Sequence, residues 1–472
     1  MQLDPTRRQA LGRIAGALAL GAAPAQAECP PDPLAICNVT HLHTVRVAQV
    51  QPVHDAQDVR AALRRWPGEL CVGGGRYSMG GQTAVAGGLQ LDMRGMNRLL
   101  RLEPARRVAR VQAGMRWREL QAAIDPHGLA VRTMQSYSNF TVGGSVSVNC
   151  HGRYVGHGPI SGSVRALQIV LPDGAIVEAS RTKHADLFHA AIGGYGGVGV
   201  LTEVELELDD NFKIERSTAY VALEDYPAWF AANIQARPQV LLHNADLSAP
   251  GFDQPHCVTW ARSDKPLTLA DRLTAPGASY TTEKLFIWAM TELPGGAALR
   301  RTVATPLEDR PAVVWRNFEA SLDAAELEPW SRNRSTYVLQ EYFVPQRQFA
   351  AYARQLAKLM QQVDSGTLNI SIRHASADPR VLMSWAREDV FCFVVYYKQQ
   401  LSAPAQAFVG QWTRAMIDLA LRHEGTYYLP YQLHATQAQF EQAYPRAAQL
   451  RRLRKQLGAT RLTNSLWSRY SV

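Results

Sequence analysis

Five glycines occupy the nine positions from Gly73 to Gly81, between two segments that are typical of β-strands, residues 70–72 and 88–93. Because glycine has no Cβ and tolerates positive φ, several backbone N–H groups of such a loop can point at one spot. That arrangement suits the pyrophosphate of a dinucleotide. A glycine-rich hairpin without a ligand is the alternative that this run alone leaves open.

Three later segments strengthen the first signal. Residues 135–152 contain a Gly-Gly-Ser run and end in Cys-His-Gly. Residues 164–174 have the pattern of a strand that closes in a Pro-Asp-Gly turn. Residues 193–208 join a second glycine cluster to a strand of alternating apolar and polar residues. The value of these segments lies in their combination and order.

In this order, the four segments resemble the FAD-binding domain of the vanillyl-alcohol-oxidase (p-cresol methylhydroxylase, PCMH) flavoprotein superfamily, over roughly residues 40–210. The resemblance implies an α+β fold, with a two-subdomain FAD-binding domain of the PCMH type and an α+β substrate cap built on an antiparallel sheet. We expect the FAD-binding domain at residues 28–210, the substrate-binding cap at 211–436, and a C-terminal return to the FAD domain at 437–472.

The resemblance also implies which residues hold FAD. The first glycine loop and the second segment would wrap the pyrophosphate and flank the isoalloxazine ring, and serine hydroxyls would add donors. The FAD-binding residues expected in this way are Gly73, Gly74, Gly75, Arg76, Tyr77, Ser78, Gly80, Gln82, Thr141, Gly143, Gly144, Ser145, Ser147, His151, Gly152, Gly199 and Val200.

Many members of the superfamily tether the flavin through a histidine in a pattern like G-x-G-H-S. Here Tyr77 occupies that position, or Arg76 if the alignment shifts by one residue, and neither forms a histidyl bond. Some members add a cysteinyl bond from the second loop, where Cys150 lies. The surrounding sequence is more similar to the T-H-G of aldonolactone oxidases and the I-H-G of decaprenylphosphoryl-ribose oxidase, which form no thioether. We therefore predict non-covalent FAD, with a Cys150 thioether as the alternative.

The cap resembles those of aldonolactone and sugar-alcohol oxidases and of decaprenylphosphoryl-ribose oxidase. The first two groups carry a Glu-x-Arg pair on the strand that corresponds to residues 370–373. Arg373 is present here, but Ser371 stands at the glutamate position. The resemblance implies that Arg373 stabilises negative charge near the flavin or on a substrate oxygen, which a fixed guanidinium does well. A surface salt bridge is the alternative for Arg373.

Polar groups that face the substrate are expected on one further strand, and a residue that takes the substrate's proton is expected on another segment. Alternation along one strand directs Gln340 and Tyr342 to one face and Glu341 to the other, and Gln340 is our candidate. Residues 428–434 correspond to a segment where relatives carry a catalytic lysine or histidine. No lysine is present, so either His434 or Tyr431 is expected to act as the base. A packed or exposed histidine is an equal explanation of His434.

The N-terminus has the pattern of an export signal. Arg7 and Arg8 form a twin-arginine motif, residues 14–23 are apolar, and residues 25–27 fit a small-x-small cleavage site. We expect a twin-arginine signal peptide at residues 1–27 and a periplasmic or otherwise extracytoplasmic protein. A disordered or membrane-anchoring tail is the alternative. In an oxidising compartment, Cys29 and Cys37 are close enough in sequence to form a local disulfide.

Composition limits the classes of partner. The 472 residues are 46% hydrophobic and 19% charged, which is typical of a globular protein with room for two domains. No second apolar run is long enough to span a bilayer, so no stable membrane insertion is expected after processing. The net charge of the chain is +9. One dense run of basic residues lies at 446–455, and its spacing is typical of a solvated helix face. We therefore expect no nucleic-acid partner, and the absence of a C-x-x-C pair argues against a metal site.

These signals together predict an exported FAD-dependent oxidoreductase. Its expected reaction is oxidation of a CH–OH group of a carbohydrate, polyol or lactone by hydride transfer to flavin N5, with O2, a quinone or a cytochrome as electron acceptor. Two alternatives remain. One is a flavin reductase fed by a nicotinamide cofactor, and the other is a degenerate flavin-binding protein that catalyses nothing.

Overall fold

The computed structural model describes residues 29–292, 309–329, 331–332, 334–363 and 365–470. The export signal expected at residues 1–27 lies outside these ranges. Within them, no helix combines the length and the apolar character needed to cross a bilayer. Cys29 and Cys37 are joined in a disulfide, with Cα atoms 6.2 Å apart.

The described residues contain strands in three main sheets, with helices between and over them. The strands are β1 (Ala35–Ile36), β2 (Val45–Arg46), β3 (Gln49–Pro52), β4 (Leu70–Gly73), β5 (Leu89–Asp92), β6 (Leu99–Glu103), β7 (Val108–Gln112), β8 (Leu129–Val131), β9 (Val164–Val170), β10 (Ile176–Ser180), β11 (Val200–Asp210), β12 (Lys213–Tyr220), β13 (Val240–Ser248), β14 (His256–Arg262), β15 (Ala312–Trp315), β16 (Ser335–Pro345), β17 (Thr367–Ala375), β18 (Val390–Gln400) and β19 (Thr426–Tyr427). The α-helices are α1 (Ala56–Arg65), α2 (Trp117–Ile124), α3 (Val142–Ser147), α4 (Ala185–Ala191), α5 (Tyr226–Phe230), α6 (Thr281–Glu292), α7 (Arg316–Ala320), α8 (Phe349–Gln362), α9 (Ala403–Arg422), α10 (Gln437–Ala443), α11 (Ala447–Gln456) and α12 (Ser465–Tyr470).

The first sheet is small and parallel, in the order β3-β5-β4. Helix α1 connects β3 to β4. It begins at Asp55, whose carboxylate accepts the backbone N–H groups of Gln57 and Asp58 at 2.8 and 2.9 Å. The helix buries Val59 and Leu63 in the core of this sheet. Because β4 ends at Gly73, the glycine loop leaves from the carboxyl edge of parallel strands, where such sheets commonly bind ligands.

The second sheet is antiparallel, in the order β10-β9-β11-β7-β6, with β8 also paired to β11. Strand β11 is its centre, and its alternating burial follows the alternating sequence at residues 200–208. Helix α3, which contains the second glycine segment, packs against β11. The sheet therefore holds α3 and the glycine cluster that precedes β11 close together.

The third sheet has eight antiparallel strands in the order β15-β12-β14-β13-β17-β18-β16-β19, and we call it the cap sheet. One of its faces is covered by α8 and α9, against which Tyr342, Phe393 and Tyr397 pack. The opposite face carries Glu341, Val394 and Ser371 in one row, since β16, β18 and β17 pair in that register. The observed mixture of helices and antiparallel sheets confirms the expected α+β class.

The C-terminal segment returns to the first sheet. Leu462 pairs with Leu70, and the backbone N–H of Thr463 donates to the Leu70 carbonyl at 3.0 Å. The Ser465 hydroxyl then donates to the Gly80 carbonyl at 2.8 Å. These contacts hold the glycine loop from behind. The domain boundaries at residues 210, 436 and 472 stay predictions.

Candidate active site

Two cavities meet between the glycine loops and the cap sheet. The loop cavity has a volume of about 210 Å³ and lies among the glycine segments. The cap cavity, of about 270 Å³, lies over β13, β14 and β17. The residues common to both walls are Ser136, Tyr137, Leu339, Arg373 and Val394. A ligand in one cavity is thus in reach of a ligand in the other.

Most of the FAD-binding residues expected from the sequence line the loop cavity. They are Gly74, Gly75, Arg76, Tyr77, Ser78, Gln82, Thr141, Gly143, Gly144, Ser145, Ser147, His151 and Gly199. Three elements bring them together: the loop after β4, helix α3 with its flanks, and the turn before β11. The convergence of segments that are far apart in sequence is what the resemblance implied.

Four of the expected residues do not line the loop cavity and lie behind it instead. Gly73 is the last residue of β4, and Val200 is fully buried in the core of the first sheet. A Cβ at Gly80 would come within 2.5 Å of the Tyr431 carbonyl oxygen, and one at Gly152 would overlap the Met134 carbonyl. These positions support the wall of the loop cavity, and their contact with the cofactor stays a prediction.

The shape of the loop cavity depends on its glycines. A Cβ at Gly74 would overlap Oγ1 of Thr141, and one at Gly143 would lie 2.6 Å from the Cβ of Ala113. Two donors in the wall, Arg76 Nε and Ser136 Oγ, are buried and lack a hydrogen-bond partner among the described residues. Bare backbone and unpaired donors are what a dinucleotide with an anionic pyrophosphate requires, so the residues present fit FAD.

Arg76 and Tyr77 occupy the place of the covalent tether. Arg76 has a left-handed backbone, with φ of 61°, and its guanidinium donates to Gln90 Oε1 at 2.8 Å. The Tyr77 ring packs edge-on against Phe140, and burial raises the pKa of its phenol to about 12. Cys150 is buried and is absent from the described wall of the loop cavity, and burial raises the pKa of its thiol. Its position offers no support for a thioether.

The cap cavity is polar on the side of the cap sheet. Asn244 and Asp246 project from β13, and Asn369, Ser371 and Arg373 project from β17. The amide of Asn369 lies 3.4 Å from Asp246 Oδ1, and the amide of Asn244 lies 3.4 Å from Oδ2. Amides, a carboxylate and a hydroxyl in one wall are suitable partners for several hydroxyl groups of a ligand.

Arg373 lies at the junction of the two cavities, as the role expected for it from the sequence requires. It lines both cavities. Its Nε is buried without a partner, and the described part of the chain contains no carboxylate within salt-bridge distance of it. The alternative of a surface salt bridge therefore does not describe this side chain. A half-buried cation at this junction, with its Nε shielded from solvent, is available to an anion or a developing negative charge.

Gln340 and His434 lie elsewhere, which corrects two expectations. Gln340 is on the face of β16 that α9 covers, where it neighbours Tyr397, and it is not part of the described lining of either cavity. His434 packs against Gly410 of α9 and is also outside those linings. Burial, reinforced by nearby cations, lowers the pKa of His434 to about 4. Neither residue is positioned to receive a proton from a ligand in the cavities.

A buried hydrogen-bonded chain lines the loop cavity in their place. Tyr431 Oη donates to Glu341 Oε2 at 3.2 Å, and Glu341 Oε1 lies 2.6 Å from His151 Nε2. The side chains of His151 and Glu341 are 3% and 2% exposed. Burial, followed by the charge of Glu341, raises the pKa of the Tyr431 phenol well above its usual range. Tyr431 is thus in the site as expected, but as a neutral phenol.

Several lining residues were not anticipated. They are chiefly Gln135, Ser136, Tyr137, Phe140, Tyr195, Glu341, Val394 and Tyr428. Most belong to segments already singled out, residues 135–152 and 428–434, but no spacing distinguishes the lining positions within these irregular stretches. For Glu341 the signal was present, because alternation separates it from Gln340. The choice between the two faces was wrong.

Residues 47–180 match the family model described as an FAD binding domain. Three curated relatives align with parts of the chain. L-gulonolactone oxidase of Mus musculus is 31% identical over 35% of this chain and 38% of its own length. L-galactono-1,4-lactone dehydrogenase 2, mitochondrial, of Oryza sativa subsp. japonica is 30% identical over 44% and 36%. The alditol oxidase of a Streptomyces strain is 34% identical over 23% and 26%.

The chain thus matches at most about two fifths of the length of these relatives. The matched part contains the glycine loop and α3, which are two of the three elements that build the loop cavity. Residues 47–180 therefore match an FAD-binding domain, and the relatives support FAD as the cofactor and the resemblance to the vanillyl-alcohol-oxidase superfamily expected from the sequence.

Proposed function

We propose that this protein is an exported FAD-dependent oxidoreductase that oxidises a CH–OH group of a carbohydrate, polyol or lactone. One observation carries the proposal: a polar cap cavity opens onto the loop cavity, and Arg373 lines both. FAD, when bound, supplies a two-electron oxidant that accepts a hydrogen together with its electron pair. The residues of this chain must then bind the substrate, orient its carbon and manage the charge on its oxygen.

Arg373 is the group that manages this charge. Oxidation of an alcohol places negative charge on its oxygen as the proton leaves. A fixed guanidinium in a buried site stabilises such charge far more strongly than a solvated one does. Because the described surroundings of Arg373 leave its Nε unpaired, this donor is available without breaking an existing bond.

The wall of the cap cavity suggests the substrate class. Asn244, Asp246, Asn369 and Ser371 present donors and acceptors along two neighbouring strands. A molecule with several hydroxyl groups satisfies such a wall better than an apolar one, since buried polar groups need partners. The relatives are named for L-gulonolactone, L-galactono-1,4-lactone and alditols, all of which are polyhydroxylated.

The proposed location rests on the N-terminal sequence and agrees with the disulfide between Cys29 and Cys37, a bond that persists in oxidising compartments. Nicotinamide cofactors are scarce outside the cytoplasm, so a nicotinamide-fed reductase is disfavoured. We propose O2, a quinone or a cytochrome as the acceptor that restores the oxidised flavin. Loss of flavin colour on addition of a polyhydroxylated substrate, and not of NADPH, tests the proposal.

We also propose that FAD is held without a covalent bond, since Tyr77 and Arg76 stand at the tether position. Acid precipitation of the purified protein is expected to leave the yellow colour in the supernatant, with the absorbance spectrum of free FAD. Colour retained in the pellet would contradict this prediction. A Cys150→Ser variant would then show whether the bond is a thioether, because only in that case would the colour move to the supernatant.

A further inference from the structure

We propose that Glu341 accepts the hydroxyl proton of the substrate by way of Tyr431. The inference rests on the proposed function, because it supplies the proton acceptor which that reaction needs. It names a role for a carboxylate on β16, whereas the Glu-x-Arg pattern would place the carboxylate on β17.

The register of the cap sheet relates Glu341 to Ser371, the residue at the glutamate position of that pattern. Glu341 lies opposite Val394, and Val394 lies opposite Ser371. The three side chains therefore share one row and one face of the sheet. Two strand spacings separate the ends of the row, about 10 Å in all. Glu341 thus stands at the opposite end of this row from Ser371 and lines the loop cavity.

The contacts of Glu341 leave it prepared to accept a proton. The 2.6 Å separation between His151 Nε2 and Glu341 Oε1 is a hydrogen bond, which the proposed relay requires the ring nitrogen to donate. The second oxygen, Oε2, accepts the hydroxyl of Tyr431 at 3.2 Å. Two donors stabilise the buried carboxylate, and the one on the cavity side is a hydroxyl that can exchange its proton.

Tyr431 connects the carboxylate to the cavity. Its O–H points to Glu341, so the lone pairs of the same oxygen are free to accept a hydrogen bond from a substrate hydroxyl. The raised pKa of the phenol disfavours a phenolate, so a proton that arrives displaces the phenol's own proton toward Oε2. Tyr431 passes the proton on, and Glu341 keeps it.

The step balances. The O–H proton of the substrate moves to Tyr431 Oη, and the proton of Tyr431 moves to Glu341 Oε2. The hydrogen on the carbon leaves with its electron pair to the flavin oxidant, and the C–O single bond becomes C=O. Negative charge develops on the substrate oxygen as its proton leaves toward β16. In this proposal Arg373, on β17, stabilises that charge where the two cavities meet.

The relay requires Glu341 as a carboxylate, because only that form accepts the proton, so the rate of flavin reduction should decline at low pH. Other ionisable groups surround Glu341 and contribute to where this decline falls. They are His151, Tyr195, Arg373, Cys392, Tyr428, Tyr431 and Tyr444.

Rapid anaerobic mixing of the full-length, FAD-loaded protein with L-gulonolactone, L-galactono-1,4-lactone or sorbitol tests the relay across a range of pH. Glu341→Gln is expected to slow flavin reduction about 100-fold and to abolish the decline at low pH. Glu341→Asp should restore the decline with part of the rate, and Tyr431→Phe, which removes the hydroxyl between the substrate and Glu341, should slow reduction about as much as Glu341→Gln and should also lose the decline. Glu424→Gln, which changes an exposed carboxylate paired with Arg347, is the matched control and should behave as the wild type.

Infrared difference spectra of the resting holoprotein between low and high pH give a second readout that needs no substrate. The wild type and Tyr431→Phe should both show a carboxyl band that changes over the pH range in which flavin reduction by the wild type declines. Glu341→Gln should lack this band. A Glu341→Gln enzyme with normal rate and pH profile would overturn the relay and leave the proposed function standing. If none of the three substrates reduces the flavin of the wild type, the proposed function fails. The relay is then tested by the infrared spectra alone, and absence of the carboxyl band from the wild type would overturn the relay.

Discussion

Replacing Gly74 by valine is expected to abolish FAD binding. A Cβ at this position would overlap Oγ1 of Thr141, and the two added methyl groups would project into the loop cavity that both residues line. Neither neighbour can yield easily, because Gly74 follows β4 directly and Thr141 is the residue before α3. Flavin absorbance of the purified protein, followed by fluorescence titration with added FAD, measures the effect.

Gly162→Val is the matched control for this variant. Gly162 is exposed, lies outside the described linings of both cavities, and a Cβ there would meet only the His157 carbonyl at 3.4 Å. It should bind FAD as the wild type does. Circular dichroism separates loss of binding from loss of fold, and Gly74→Ala offers a milder change if the valine protein is unfolded. A folded, yellow Gly74→Val protein with normal affinity would mean that the loop has been assigned wrongly.

Replacing Arg373 by alanine is expected to slow flavin reduction by substrate about 100- to 1000-fold while FAD stays bound. The guanidinium is the one cation common to the walls of both cavities among the described residues, and nothing described there replaces its charge. Since the glycine loops and α3 still hold the cofactor, the visible spectrum should change little. Single-turnover bleaching of the flavin measures the rate directly.

Arg373→Lys separates charge from geometry. Lysine keeps the positive charge but loses the planar array of donors, so about a tenfold loss is expected. A near-normal rate in Arg373→Ala would remove the role assigned to this residue. A colourless Arg373→Ala protein would show instead that the guanidinium is needed mainly to hold the cofactor.

Local patterns together with the family resemblance pointed to the segments that line the loop cavity. The glycine run at residues 73–81 had to follow a strand, because residues 70–72 are continuously apolar, and it does follow β4. Arg373 was implied by the resemblance to the Glu-x-Arg pattern, and in the structure it alternates with Ile370 and Ile372 and lines both cavities.

The choice of Gln340 over Glu341 failed for a physical reason. Nearly every residue of β16 is buried, since α9 covers one face and the glycine loops cover the other. Alternation then separates two faces without telling which one borders a cavity. Only the pairing of β16 with β18 and the position of α9 settle that question, and both are long-range features.

His434 illustrates a second limit. It lies in an irregular segment after β19, where no periodicity fixes the direction of a side chain. The close approach of Gly410 on α9 turns its ring away from the cavities, whereas Tyr428 and Tyr431 turn toward them. The resemblance to the family pointed to a segment that does line the loop cavity. Which residue of that segment faces the cavity depends on the packing between α9 and the loop.

The most direct test of the proposed function is anaerobic addition of L-gulonolactone, L-galactono-1,4-lactone or sorbitol to the FAD-loaded full-length protein, with NADPH added to a separate sample. We expect the visible flavin absorbance to bleach with at least one of the three polyhydroxylated compounds and to remain with NADPH. Bleaching by NADPH alone would contradict the proposal in favour of a reductase. Unchanged absorbance in every sample would contradict the assignment of this site to oxidation of polyhydroxylated substrates.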